Sequence, residues 1–186
     1  PKELGNVRHI LFCGMGGSAI SGNLALNFLR DELRIPFFVN RSYEIPAWAG
    51  EETLVITSSY SGNTEETLSA FEEARSRGCH IICIANGGEL ENRASKTGAP
   101  CFPLVEGLQP RFALYSSFFT LLKTLENLGI VPAQSGAVEE ISLLLKNNAA
   151  RYREGGKAFE LAEKMCSKEL IILHKSAFFQ PPSRDN

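Results

Sequence analysis

The chain has 186 residues and a formal net charge of −2, a size that suits one full domain with part of a second. Apolar residues make up 44% and charged residues 22%, ordinary values for a soluble globular protein with a normal core. No basic stripe is present, which excludes nucleic acid as a partner. No run of about 18 apolar residues exists either, so no membrane contact is expected.

In chain order, Val7–Cys13 reads as a buried strand and Ser18–Leu33 has helical spacing. Phe37–Asn40 and Thr53–Ser58 are strands, the second with Leu54-Val55-Ile56 at its centre. Thr64–Arg77 has helix composition, with Gly78 as its stop signal. Cys79–Ala85 is a strand, Leu90–Thr97 a short helix, Pro100–Leu104 a brief strand, and Pro110–Leu128 a long helix stopped by Gly129 and Pro132. Apolar strands separated by helices indicate a parallel sheet covered on both faces. The expected fold class is therefore α/β, a three-layer αβα sandwich on a five-stranded parallel sheet. In such folds ligands bind beyond the carboxyl ends of the strands.

After Gly129 the character changes. Val138–Arg151 and Gly156–Cys166 read as two further helices, Glu169–Leu173 as the first strand of a new unit, and Gln180–Asn186 as a frayed end. The expected division is 1–132 as one domain, and 133–186 as a helical linker with the start of a second. The first residue is Pro1 rather than methionine, so the chain is expected to be processed or to begin inside a longer product. No secretion signal is expected from its first residues. The five cysteines are odd in number and lie mostly in strand-like runs, which fits free thiols in a reducing cytoplasmic setting. Cys79 and Cys83 have no matching pair, so no metal site is expected, and no cofactor.

Two segments carry candidate chemistry. Gly14-Met15-Gly16-Gly17-Ser18 follows the first strand and opens the first helix. Glycines there allow close approach of a ligand, and a helix start offers free N–H groups and partial positive charge, an anion site. Ser18 either caps the helix or donates to the anion. The bland alternative is a tight turn with no ligand. No lysine follows the glycines as in a Walker loop, and no acidic residue ends the second strand as a dinucleotide site requires.

The second segment, Ser58-Ser59-Tyr60-Ser61-Gly62-Asn63-Thr64, follows the third strand and holds four hydroxyls besides Tyr60. A helix N-cap explains one of them. The density of small donors exceeds that need, and hydroxyls with backbone amides bind phosphate without a cation. Two such segments after separate strands of one sheet can converge on one ligand.

The stretches GMGGSAISGN (14–23) and SSYSGNTEET (58–67) resemble the sugar isomerase (SIS) domain, whose sheet is flavodoxin-like. More narrowly, with Pro110-Arg111 at a helix start, they resemble the bifunctional phosphoglucose/phosphomannose isomerase family. The resemblance implies that Ser59, Ser61 and Thr64 hold the phosphate of a hexose 6-phosphate. It implies that Gly16, Gly17 and Ser18 lie along the sugar, and that Arg111 stabilises the enediolate intermediate. It also implies that the base and the ring-opening histidine come from a second SIS domain or a neighbouring subunit, beginning near residues 169–173 and largely beyond this chain. A homodimer is expected, and the long helix from Arg111 to Leu128 is apolar around much of its circumference, as burial on two sides requires. A central core helix of the monomer explains the same pattern.

His9 and His80 read as structural, His174 as a residue near a loop, and Glu106 as a solvated carboxylate. The leading expectation is an aldose–ketose isomerase acting on glucose, mannose and fructose 6-phosphates, this chain supplying the phosphate-binding half. A non-catalytic module that senses a sugar phosphate is the alternative, and a nucleotide-binding domain a weaker third.

Overall fold

A computed structural model describes residues 6–109, 112–152 and 155–166. The chain divides into two compact units, Pro1–Gln134 and Ser135–Asn186. The first unit alternates strand and helix: β1 (His9–Gly14), α1 (Gly16–Phe28), β2 (Phe37–Asn40), β3 (Thr53–Ser59), α2 (Glu65–Ser76), β4 (His80–Ala85), α3 (Gly88–Thr97), β5 (Cys101–Pro103) and α4 (Leu114–Asn127). All five strands run parallel, in the order β2-β1-β3-β4-β5. This is the flavodoxin-like order.

Alternate residues of a strand serve opposite faces of a sheet, and here both faces are covered. On one, Phe12 of β1 stacks on Phe37 of β2 and lies against Gly22 of α1, and α1 joins α4 through the edge-on rings of Phe28 and Phe118. On the other, Leu11, Cys13 and Val55 pack with Ala70 and Ala74 of α2, and Cys83 and Ala85 pack with Phe71, Leu90 and Ala94. Phe12 and Phe71 are fully buried, each contributing about 1.5–3 kcal/mol relative to an exposed ring. Arg93 joins α3 to α2, bonding both Glu89 and Glu72. Among the described residues no helix is long and apolar enough to cross a membrane.

Several helix bounds differ from the sequence expectation, and α1 also ends at Phe28 rather than Leu33. Helix α1 begins at Gly16, so the glycines form its first turn, and its N-cap is Met15 with no side-chain bond. Ser18 is therefore not the cap. Its backbone N–H already bonds the Met15 carbonyl at 3.0 Å. Helix α4 begins at Leu114, whereas the start expected at Pro110 lies outside the described residues; Phe112 N donates to Gln109 O at 2.8 Å. Within the first unit α4 buries Ser117, Phe118, Leu121, Leu122 and Leu125 but leaves Tyr115 exposed.

The second unit holds α5 (Ser135–Ala149), a 3-10 turn (Ala150–Tyr152) and α6 (Lys157–Met165). Neither helix buries a residue, and Leu143, Leu144 and Phe159 are exposed. The strand expected over Glu169–Leu173 and the end segment Gln180–Asn186 lie outside the described residues, as does His174.

Candidate functional site

The strand order creates one place where neighbouring strands send the chain in opposite directions. From β1 the chain passes through α1 to β2 on one side; from β3 it passes through α2 to β4 on the other. A crevice opens at the carboxyl ends of such a pair. Gly14 and Ser58, which close β1 and approach the end of β3, are register partners. A methyl group at Gly14 would lie 3.0 Å from the Ser58 carbonyl oxygen and 3.1 Å from Ser18 Cβ. The first turn of α1 thus rests on the end of β3, and a side chain at Gly14 would crowd both.

The first turn presents Gly16, with φ +50°, then Gly17 and Ser18. Helix geometry leaves early N–H groups without intrahelical partners, and the dipole adds partial positive charge. Gly16 is exposed, and Gly17 and Ser18 are half-buried.

In the second segment, consecutive strand residues separate. Ser59, buried, turns toward α2, where its Oγ lies 2.9 Å from Thr64 Oγ1. Thr64 occupies the N-cap position of α2 yet makes no side-chain cap bond, so capping does not account for its hydroxyl. Ser61 is exposed, and its Oγ accepts the Asn63 N–H at 3.3 Å. Neither segment contains a lysine or arginine. The donors are neutral hydroxyls and amides at the N-termini of two helices on opposite faces of the sheet. The acids in the first turn of α2, Glu65 and Glu66, face the β2–β3 connection. Tyr43 donates to Glu65 at 3.2 Å, and Glu66 first, then burial and Glu65, raises the Tyr43 phenol above its ordinary range.

The β4–α3 turn fixes the shape of this loop. Leu90 N donates to Gly62 O at 2.9 Å, Asn86 N to Tyr60 O at 3.1 Å, and Glu89 N to Asn63 Oδ1 at 3.0 Å. Gly62 has φ +68°, and a methyl group there would lie 1.9 Å from the Gly87 carbonyl oxygen.

Three features escaped the sequence reading. Ser58, counted among the loop hydroxyls, points to the α1/α4 face, where its Oγ lies 3.3 Å from Ser117 Oγ. Ser117 lies 2.9 Å from Ser21 Oγ, and Ser21 donates to Ser18 O at 2.6 Å. These buried hydroxyls link the two segments beneath the crevice. Tyr60 bonds the loop after β5, its hydroxyl donating to Val105 O at 3.1 Å and accepting from Leu108 N at 2.8 Å. Thr67, in the first turn of α2, has a buried hydroxyl with no partner among the described residues.

Cys13 and Cys83 sit under the α2 side as protonated thiols. Burial pushes both up to about 12, against a bond from the Asn40 amide in one case and from the Thr57 hydroxyl in the other. Nucleophilic chemistry needs the thiolate, so neither thiol is a candidate. Arg111 lies outside the described residues. Glu106 is exposed in the loop that precedes it.

The profile of the SIS domain family matches residues 3–97, which hold both segments. The chain belongs to the SIS domain family. It is 44% identical, over 172 residues, to the bifunctional phosphoglucose/phosphomannose isomerase of Caldicellulosiruptor bescii, an alignment covering 90% of this chain and 51% of that protein. With the enzyme of the same name from Aquifex aeolicus it shares 40% identity over 157 residues, 84% of this chain and 47% of the other. Among solved structures, the C-terminal domain of glucosamine-fructose-6-phosphate aminotransferase from Francisella tularensis has the same fold. Its TM-score is 0.58, with 17% identity over 87% of this chain and 47% of that one. The chain spans about half the length of the curated relatives it matches.

Proposed function

We propose that this SIS chain is the phosphate-binding half of an aldose–ketose isomerase that interconverts glucose 6-phosphate and mannose 6-phosphate with fructose 6-phosphate. The observation that carries the reading is the junction at the switch point. Gly14 and Ser58 are paired, Ser18 rests on them, and Ser59 and Thr64 stand together without capping their helix. The names of relatives at 44% and 40% identity support the choice of substrate.

In this reading Ser59, Ser61 and Thr64 donate to the phosphate oxygens, and the amides of Gly16 and Gly17 with the Ser18 hydroxyl lie along the sugar. Neutral donors suffice for an anchor that keeps its charge throughout the reaction. Isomerisation moves a proton between C2 and C1 through an enediolate, and the fixed cation belongs where that new charge develops. Arg111 is proposed for that place. The base and the ring-opening acid are proposed to lie in a second SIS domain, with 133–186 serving as linker and beginning of it. A homodimer in the cytoplasm completes the reading, supported by exposed Ile20, Phe112 and Tyr115 on or beside α1 and α4 and by five free cysteines.

The test combines calorimetric titration of this chain with fructose 6-phosphate and an isomerisation assay on the full gene product. Saturable binding here with turnover by the full product is expected. Binding without turnover by the full product would favour the sensing module. Near-full turnover by the 186-residue chain would mean that the base lies within it. Absence of binding would overturn the site.

A further inference from the structure

The loop between β5 and α4 leads directly to Pro110-Arg111, and its fastening is unusual. Leu104 N donates to Ala85 O at 3.0 Å, so the loop leaves the sheet beside β4. Beyond that point Val105 N donates to Ser116 Oγ at 3.2 Å, and Val105 O and Leu108 N both bond the Tyr60 hydroxyl. One phenol therefore closes the loop as a strand partner would, donating to one backbone group and accepting from another.

Tyr60 itself stands between Ser59 and Ser61. Its carbonyl accepts the Asn86 N–H, so its backbone is held by the β4–α3 turn while its ring reaches across β4 to the loop after β5. The ring thus joins the residue between Ser59 and Ser61 to Leu108, which stands three residues before Arg111 in the sequence. The far side of that segment is also tied, Phe112 N donating to Gln109 O.

We propose that Tyr60 is a positioning residue that couples phosphate occupancy of the Ser59–Thr64 segment to the placement of the Val105–Gln109 loop. The proposal rests on the isomerase reading above. It separates two tasks: the hydroxyls of Ser59, Ser61 and Thr64 hold the anchor, and the Tyr60 phenol reports that the anchor is in place.

The experiment uses this chain and its Tyr60→Phe variant, with fructose 6-phosphate as the probe and amide resonances as the readout. Without ligand, the variant is expected to exchange the Leu108 amide about tenfold faster, the loss of one hydrogen bond. With ligand, the Ser59–Thr64 amides are expected to shift in both proteins with affinities within about twofold. The Val105–Gln109 amides are expected to shift only in the wild type, since the coupling is lost rather than the binding. In the full gene product the same variant is expected to lower kcat about tenfold while leaving KM within about twofold, a split that a general loss of folding would not give. Equal responses of the Val105–Gln109 amides in both proteins would overturn the coupling and leave the isomerase reading standing. No response anywhere in the wild type would overturn both, and unchanged Leu108 exchange in the variant would overturn the geometry on which the coupling is built.

Discussion

Gly62→Ala is the perturbation whose consequence follows most directly from the geometry. The residue has φ +68°, and an alanine methyl would lie 1.9 Å from the Gly87 carbonyl oxygen and 2.9 Å from its carbon, both backbone atoms that cannot rotate away. The left-handed conformation costs a side-chain-bearing residue roughly 1–2 kcal/mol, and forcing a methyl into a filled space adds about 1–3 kcal/mol. The sum is about 2–5 kcal/mol, which for a chain of this size lowers the melting temperature by about 4–20 °C. Gly98→Ala separates the two contributions. Gly98 has φ +73° with nothing within 4 Å of the added methyl, so its variant should lose only the conformational part, about 1–2 kcal/mol. Thermal unfolding by circular dichroism measures both, and titration with fructose 6-phosphate measures the loop, whose affinity in Gly62→Ala should fall at least about tenfold as the donors move. Equal melting temperatures for the two variants, with undiminished affinity in Gly62→Ala, would refute the claim that the β4–α3 turn sets the shape of the hydroxyl loop.

Ser59→Ala should weaken fructose 6-phosphate binding by about 10–100-fold, the worth of a hydrogen bond to a charged group; an unchanged calorimetric affinity would remove Ser59 from the site. Ser117→Ala strips Ser58 of its buried partner and should cost about 1–3 kcal/mol in urea unfolding, whereas Ser61→Ala, at an exposed position, should cost little stability. Thr67→Val replaces an unpartnered buried hydroxyl by a methyl of similar shape and should raise stability by about 1 kcal/mol in the same assay. Cys13 and Cys83 have folded pKa values pushed from 9.0 up to about 12. Folding therefore favours the protonated thiols, and their contribution is present below pH 9 and is lost as pH rises toward 12. Urea unfolding across that window should show falling stability, with a shallower decline in the Cys13→Ala Cys83→Ala variant.

Much of the layered architecture could be read from apolar periodicity, because buried parallel strands announce themselves. Phe37–Asn40 was bounded correctly, and β3 and β4 within a residue at either end. The largest shifts lie at helix ends: α1 stops at Phe28 rather than Leu33, and the starts of α1 and α4 move. Gly16 and Gly17 look like loop residues by propensity, yet they open α1, whose first turn packs on the end of β3 where a methyl at Gly14 would lie 3.0 Å from the Ser58 carbonyl oxygen. Pro110 looks like a first helical residue; it lies outside the described residues, and α4 begins at Leu114.

At the site, the density of hydroxyls in 58–64 was visible and their division was not. Whether Ser58 or Ser59 turns toward α2 depends on the parity of β3 against its neighbours, which register with β1 and β4 decides. Ser117 gave no signal at all, since of the pair Ser116-Ser117 the sequence does not say which faces another hydroxyl. Tyr60 could be read as a loop aromatic. Its bonds to Val105 and Leu108 join segments more than forty residues apart, and only the strand order brings them together.

The measurement that bears most directly on the shared phosphate site is a crystal structure of this chain with fructose 6-phosphate. The account predicts the phosphate at the carboxyl ends of β1 and β3, its oxygens bonded to Ser59, Ser61 and Thr64, with the sugar running along Gly16–Ser18. A phosphate seated instead in the cleft of about 330 Å³ at the other end of the sheet, among Arg75, His80 and Thr97, would contradict it.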